Sequence, residues 1–253
     1  MKLQERRALI TGSGRGIGEQ IALRLAQEGA RVALLARDRQ QLRSTGEKIE
    51  KIGAEYLIVP ADLSSEGQIR EAIGRVVDRW GGIDILVNNA GSSLSKGLEE
   101  LNDDLWYQDL DLKLMAAVRM SRGVIPYMKK QGGGSILNAA TGAGKVPESS
   151  RLPTSVSRAA GLNLTKSMAN EFAKDKIRVN AICIGKIKSA QWERRSKGGD
   201  LQKLYSDLGK TIPLGRVGEA EEYADLAAFI CSARASYITG AAINLDGGQC
   251  PSI

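Results

Sequence analysis

The sequence has no histidine, three cysteines and only 4% aromatic residues among its 253 positions. Without histidine, neither a Ser-His-Asp triad nor a His-ligated zinc site can form, and no metal site is expected. Cys183, Cys231 and Cys250 make neither a disulfide framework nor a CxxC pair, which fits a reducing compartment. No apolar run approaches the ~18 residues of a membrane span, and the opening MKLQERRALITG lacks the apolar core of a signal peptide. A soluble, cytoplasmic protein with no membrane partner is expected. A strong charge imbalance is missing too. The 36 Lys+Arg stand against 29 Asp+Glu, a net +7, and along most of the chain the signs alternate as on a solvated surface. No basic run is interleaved with stacking aromatics, so nucleic acid is not an expected partner.

Glycine, by contrast, is plentiful at 29 residues, which suits tight turns and close backbone packing. Short apolar runs alternate with longer helical patterns. Strands are read at Arg7–Thr11, Val32–Ala36, Tyr56–Val59, Ile83–Val87, Ser135–Asn138, Arg178–Ile184 and Ala241–Leu245. Helices are read at Gly16–Glu28, Gln40–Ile52, Ser65–Trp80, Asn102–Lys130 and Thr154–Lys174, with more between the last two strands. The strand runs are apolar throughout rather than alternating, as a parallel sheet covered on both faces requires. The βαβ rhythm predicts an α/β fold, a doubly wound parallel sheet with right-handed crossovers. Nothing resembling a linker or repeat divides it, so a single domain over 1–253 is expected.

Thr11-Gly12-Ser13-Gly14-Arg15-Gly16-Ile17-Gly18 falls between the first strand and the first helix. There, one glycine allows the tight turn, another lets the backbone approach a pyrophosphate, and a third packs the helix on the sheet. Gly12, Ser13, Arg15, Gly16, Ile17 and Gly18 are therefore candidate cofactor residues, with the helix start holding the phosphates. Folds of this type choose their dinucleotide at the end of the second strand, where an acid binds a ribose 2′-hydroxyl and an arginine accepts a 2′-phosphate. Here the strand ends Ala36-Arg37-Asp38, and Arg15 could reach the same phosphate. Two guanidiniums suited to phosphate outweigh one later Asp, so NADP(H) is favoured over NAD(H).

With these residues in place, the chain resembles the short-chain dehydrogenase/reductase family, in its branch of one Rossmann domain. The resemblance rests on TGSGRGIG at 11–18, Ala61-Asp62-Leu63, Asn88-Asn89-Ala90-Gly91 and Ile177-Arg178-Val179-Asn180. PLGRVGEAEEYADLAAF from Pro213, Tyr237-Ile238-Thr239-Gly240 and Asp246-Gly247-Gly248 complete it. It implies that Asp62 and Leu63 flank the adenine and that Asn89, Ala90 and Gly91 lie under the adenosine ribose. It also implies that Ile187, just after Ile184-Gly185 in the place of the usual Pro-Gly, holds the nicotinamide carboxamide. Homo-oligomers, dimers or tetramers, are typical of the family.

The family's catalytic positions are all substituted. Its usual Asn, Ser, Tyr and Lys are read here as Asp111, Thr141, Thr154 and Arg158. A threonine hydroxyl is a far weaker acid than a phenol, and Arg cannot release a proton as Lys can. Arg158 could still bind the nicotinamide ribose or stabilise an oxyanion, Thr141 could orient a carbonyl, and Asp111 could hold a water or act as a base. Tyr205 is a secondary candidate for the proton donor. The leading expectation is an NADP(H)-dependent oxidoreductase acting on a small carbonyl or alcohol through an atypical site. The competing ones are a silent NADP(H)-binding sensor or partner subunit, and a non-redox isomerase or lyase on the same scaffold. A lid is expected at about 186–212, where Lys186, Lys188, Arg194, Arg195, Lys197 and Lys203 could recruit an anionic substrate.

Overall fold

The computed structural model describes residues 3–189, 192 and 199–252. The strands β1 (Arg7–Thr11), β2 (Arg31–Ala36), β3 (Tyr56–Pro60), β4 (Ile85–Asn88), β6 (Gly134–Thr141), β8 (Ile177–Ile184) and β9 (Ala242–Leu245) form one sheet in the order β3-β2-β1-β4-β6-β8-β9. Every pairing in it is parallel. The doubly wound arrangement expected from the apolar strand runs is the one observed.

Successive strand residues serve opposite faces. On β1 and β2, Ala8, Ile10, Val32 and Leu34 enter one core with α1 (Gly16–Gln27), α2 (Arg39–Lys51) and α8 (Ala220–Cys231). Leu9, Ala33 and Leu35 enter the other, with α3 (Glu66–Trp80), α5 (Ala116–Lys130) and α6 (Thr154–Phe172). Burying each large aliphatic side chain in such a core contributes roughly 1.5–3 kcal/mol. Helix ends follow local chemistry. The Asp38 carboxylate accepts from Gln40 N and Gln41 N to start α2, Ser65 caps α3, and Gly81 at φ +78 ends it.

Two features were not expected. The single helix read at Asn102–Lys130 is α4 (Asp103–Leu110), a π-helical turn over Asp111–Met115, and α5. Such a turn widens the helix to i→i+5 bonding, here Ala116 N to Asp111 O, and resets which residues face inward. Second, β5 (Ser95–Lys96) pairs antiparallel with β7 (Leu152–Pro153), two residues each. That small ladder ties the loop after β4 to the start of α6. A further helix, α7 (Leu201–Gly209), follows the undescribed stretch.

Candidate active site

Strand order reverses between β1 and β4, and the crevice outside their carboxyl ends is where open α/β sheets place ligands. Thr11 closes this crevice. Its hydroxyl donates to Val87 O and accepts from the N–H groups of Asn89 and Ala90, stapling the two strand ends together. The Asn89 amide donates to Thr11 O and Gly12 O and so holds the glycine turn. Gly18 leaves no room for a side chain, since a Cβ would stand 2.1 Å from Gly12 O and 2.6 Å from Asn89 Nδ2. Gly12 and Gly16 have φ of +68 and +57, the left-handed region that glycine tolerates. Arg15, the residue before α1, makes no side-chain cap. The first-turn N–H groups of α1 are thus left to the crevice, and the buried Ser13 hydroxyl has no protein partner. These features fit a phosphate group.

Arg37, just after β2, is exposed, and so is Arg15 in the glycine turn, whose Gly12 and Ser13 N–H groups donate to Leu35 O of β2. The Asp38 carboxylate caps α2 and is turned to that task. Asp62 bonds Ser64 through both its N–H and its hydroxyl, which pulls its carboxyl below the usual range. Leu63 is buried. Further along, Gly185 packs so closely on Asp246 that a Cβ would lie 2.5 Å from the Asp246 Cβ. Ile187 bridges Gly218, with bonds made by Lys188 N and Lys186 O, so the Ile187 peptide N–H and C=O point away from Gly218.

Thr154 and Arg158, one turn apart on α6, both lie against the loop after β4, and Thr141 ends β6, whose Ala139 takes the Arg158 guanidinium. Arg158 Nη1 donates to Ala139 O at 2.6 Å, its Nε is buried without a partner, and its Nη2 crowds Gly91, where a Cβ would be 2.7 Å away. Burial holds the guanidinium below its ordinary value. The Thr141 hydroxyl is buried with no partner. Thr154 is 8% exposed and donates its hydroxyl proton to Leu94 O.

Asp111 is not with them. It pairs with Arg119 at 2.7 Å, and Arg119 reaches on to Leu63 O. Two residues later, inside the π-helical turn, Lys113 takes the inward place. Its Nζ donates to Thr154 Oγ1 at 2.6 Å and to Asp109 Oδ1. Asp109 Oδ2 accepts from Ser157 Oγ at 2.6 Å. Burial pushes the Lys113 amine down to about 8, with Asp109 working against the shift and Arg158 adding to it. Sequence reading passed over Asp109, Lys113 and Ser157. A signal was present, because Asp109 and Lys113 continue the buried stripe of Met120, Val124 and Met128.

Of the basic cluster, Lys186 donates to Thr211 Oγ1 at 2.6 Å, and Lys188 pairs with Glu219 and lies over the Tyr205 ring. Arg194, Arg195 and Lys197 lie outside the described residues. Among the described residues there is no His/Cys/Asp/Glu group able to hold a metal, and no helix is long and apolar enough to cross a membrane.

A family model described as Enoyl-(Acyl carrier protein) reductase matches residues 12–249. The 3-oxoacyl-[acyl-carrier-protein] reductase FabG of Thermotoga maritima is 33% identical, over 98% of this chain and 99% of that one. The chain belongs to the short-chain dehydrogenase/reductase family. It is an oxidoreductase of the class acting on carbonyl and alcohol groups. Its fold is shared with the L-sorbose reductase of Gluconobacter frateurii, solved with NADPH and L-sorbose. That match has a TM-score of 0.96, 35% identity, and covers 100% of this chain and 99% of that one. Levodione reductase matches with a TM-score of 0.94 at 28% identity, both chains being fully covered.

Proposed function

We propose that this chain is a cytoplasmic, NADP(H)-dependent short-chain oxidoreductase that reduces a small carbonyl compound, or oxidises the matching alcohol, through an atypical proton-handling site. The observation that carries the cofactor preference is the division of labour at the end of β2. Asp38 is committed to capping α2, which leaves Arg37 and Arg15 as the groups that would meet a 2′-substituent on the adenosine ribose. A 2′-phosphate suits two guanidiniums; a 2′-hydroxyl would want the carboxylate that Asp38 has turned away.

When bound, a reduced nicotinamide dinucleotide supplies hydride. The residues of this chain do the rest. The N–H groups around Gly12–Gly18 and the Ser13 hydroxyl hold the pyrophosphate. Asp62 and Leu63 border the adenine, and the Asn89–Gly91 turn supports the ribose. Gly185 gives the close chain approach that sets Ile187, whose peptide groups receive the carboxamide. Arg158 binds the second ribose and places a fixed positive charge near the developing oxyanion. The unpartnered Thr141 hydroxyl orients the carbonyl oxygen. Three free cysteines, two of them buried, suit a reducing compartment. The apolar strip of Val118, Ile125, Leu164 and Phe172 on α5 and α6 supports the expectation of a homo-oligomer.

A single domain over 1–253, with a lid at about 186–212, is part of this reading, and so is a substrate carrying negative charge. The engagement of Lys186 and Lys188 within the protein reduces the number of cations left for that last role. The commitment of the Thr154 hydroxyl to Leu94 O favours a second reading, an NADP(H)-binding protein without turnover. Titrating NADPH and NADH calorimetrically, then screening a carbonyl panel, separates the two. Tight NADPH binding with oxidation supports the enzyme, and binding without oxidation supports the silent protein.

A further inference from the structure

We propose that Lys113, acting through the Thr154 hydroxyl, is the proton reservoir of the site, a positioning residue that stands in for the absent phenol. The inference rests on the oxidoreductase reading above. Its basis is a connected chain of groups running from Asp109 to Lys113 to Thr154. The Lys113 side chain is 0% exposed and that of Asp109 2%, so neither bond is a surface pairing that water would dissolve. An amine is costly to bury and is retained where its hydrogen bonds are arranged for it.

The charged groups facing Lys113 from the elements packed around it are few. Asp109 comes from α4, one turn earlier, and Arg158 comes from α6. On the same face of α6, Ser157 contributes a neutral hydroxyl to the other oxygen of Asp109. From the loop after β4, Gly91 comes close: a Cβ there would lie 3.8 Å from Lys113 Cγ. The Arg158 charge works against the Lys113 charge, and Asp109 works for it. The amine is thereby poised to exchange its proton near neutral pH, which an ordinary lysine is not.

Thr154 is the outlet. Its oxygen accepts from Lys113 Nζ and from Leu94 N, while its own proton points at Leu94 O. In the proposed relay the hydroxyl proton turns from Leu94 O toward the bound carbonyl, displacing the longer bond, 3.3 Å, that Thr154 Oγ1 accepts from Leu94 N. In the reducing direction, hydride from a reduced nicotinamide dinucleotide adds to the carbonyl carbon. The carbonyl oxygen takes the Thr154 proton, and Thr154 Oγ1 takes one from Lys113 Nζ, leaving a neutral amine. One C–H and one O–H bond form and the C=O π bond breaks. The carbonyl is reduced by two electrons and the dinucleotide oxidised by two. After product departure a proton from bulk solvent, carried by entering water, returns through Thr154 to Lys113. Alcohol oxidation runs the same path backward, from the neutral amine.

The test uses the whole chain labelled with 13C at lysine Cε, followed by NMR against pH, beside single-turnover reduction of a carbonyl substrate by NADPH. In ligand-free protein one lysine should titrate near 8 and be missing in Lys113→Arg. The wild-type reduction rate should fall above that pH. Lys113→Arg keeps the charge and the hydrogen bonding but cannot release a proton. It should lose roughly 10²-fold or more in rate, together with the alkaline fall, with NADPH affinity held within about twofold. Thr154→Val should keep the lysine titration and lose the rate to a similar extent, which guards against Lys113→Arg failing to fold. Carbonyl reduction with every lysine titrating in the ordinary range, or with Lys113→Arg at wild-type rate, overturns the role of Lys113 alone. A protein that reduces no carbonyl overturns the function reading itself and this role with it, even with the lysine titration intact.

Discussion

Lys113 Nζ lies 2.6 Å from Thr154 Oγ1, joining a π-helical turn to the first residue of a helix 41 positions later. Where the family resemblance leads one to expect a phenol held by a lysine one helical turn on, this chain has a threonine held by a lysine on the opposite helix. The hydroxyl keeps its place and changes identity, and the lysine that supports it comes from another element. Arg158 keeps a positive charge at the older lysine position but is half-buried and fixed in protonation.

The first prediction separates the hydroxyl of Thr154 from its shape. Thr154→Ser retains a donor and an acceptor and should stay within about tenfold of wild-type turnover. Thr154→Val, of nearly equal volume, should fall roughly 10²–10³-fold, the usual scale for losing a positioned proton donor. Steady-state kinetics with NADPH affinity measured separately checks this. Equal activity of the two variants would take Thr154 out of the proton path.

Stability should carry the mark of the buried amine. The folded amine titrates at about 8, below the ordinary lysine value of 10.5, so between those two pH values the unfolded chain binds more protons than the folded one. Stability against unfolding then rises with pH across that window and is flat in this contribution on either side. The full effect is at most about 3 kcal/mol. Urea unfolding of wild type and Lys113→Met at several pH values between 7.5 and 10.5 measures it. The difference in stability should move in favour of wild type as pH rises, and parallel profiles would refute it.

Replacing Arg37 with Ala should weaken NADPH by about 10- to 100-fold, the scale of one charge-assisted hydrogen-bonding group, and leave NADH nearly unchanged. Isothermal titration of both cofactors decides it. Equal losses for the two would remove the 2′-phosphate role.

Gly18→Ala puts a methyl group 2.1 Å from Gly12 O. The turn must open to accept it, at a cost of about 1–3 kcal/mol in stability. NADPH affinity should drop by more than tenfold, because the same backbone holds the pyrophosphate. A variant with wild-type melting temperature and affinity would show that the turn has slack.

The sheet was legible in the sequence because its strands are buried on both faces, and apolar runs such as Ala8–Ile10 and Val32–Leu35 have few other uses. The glycine turn was legible for a related reason, since the close approach of Gly18 to Gly12 leaves a compositional trace. Asp111 and Lys113 show where this reading stops. Residue spacing along an ideal helix does not announce a π-helical turn, and within that turn Lys113 faces Thr154 while Asp111 pairs with Arg119. The stripe that Lys113 shares with Met120 and Val124 was a signal that this lysine faces inward. A buried lysine is rare enough, however, that the helical pattern reads more readily as surface. The β5–β7 ladder of two residues per strand has no sequence period at all.

Transfer of a labelled hydride bears most directly on the whole reading. The protein would be incubated with NADPH deuterated at nicotinamide C4, each face in turn, and a panel of ketones and aldehydes, and the products examined by mass spectrometry and NMR. The site described here predicts one deuterium at the carbinol carbon, from one face of the nicotinamide only, and none from solvent at that carbon. Tight NADPH binding with no deuterium transferred to any member of the panel would contradict it and leave a dinucleotide-binding protein without turnover.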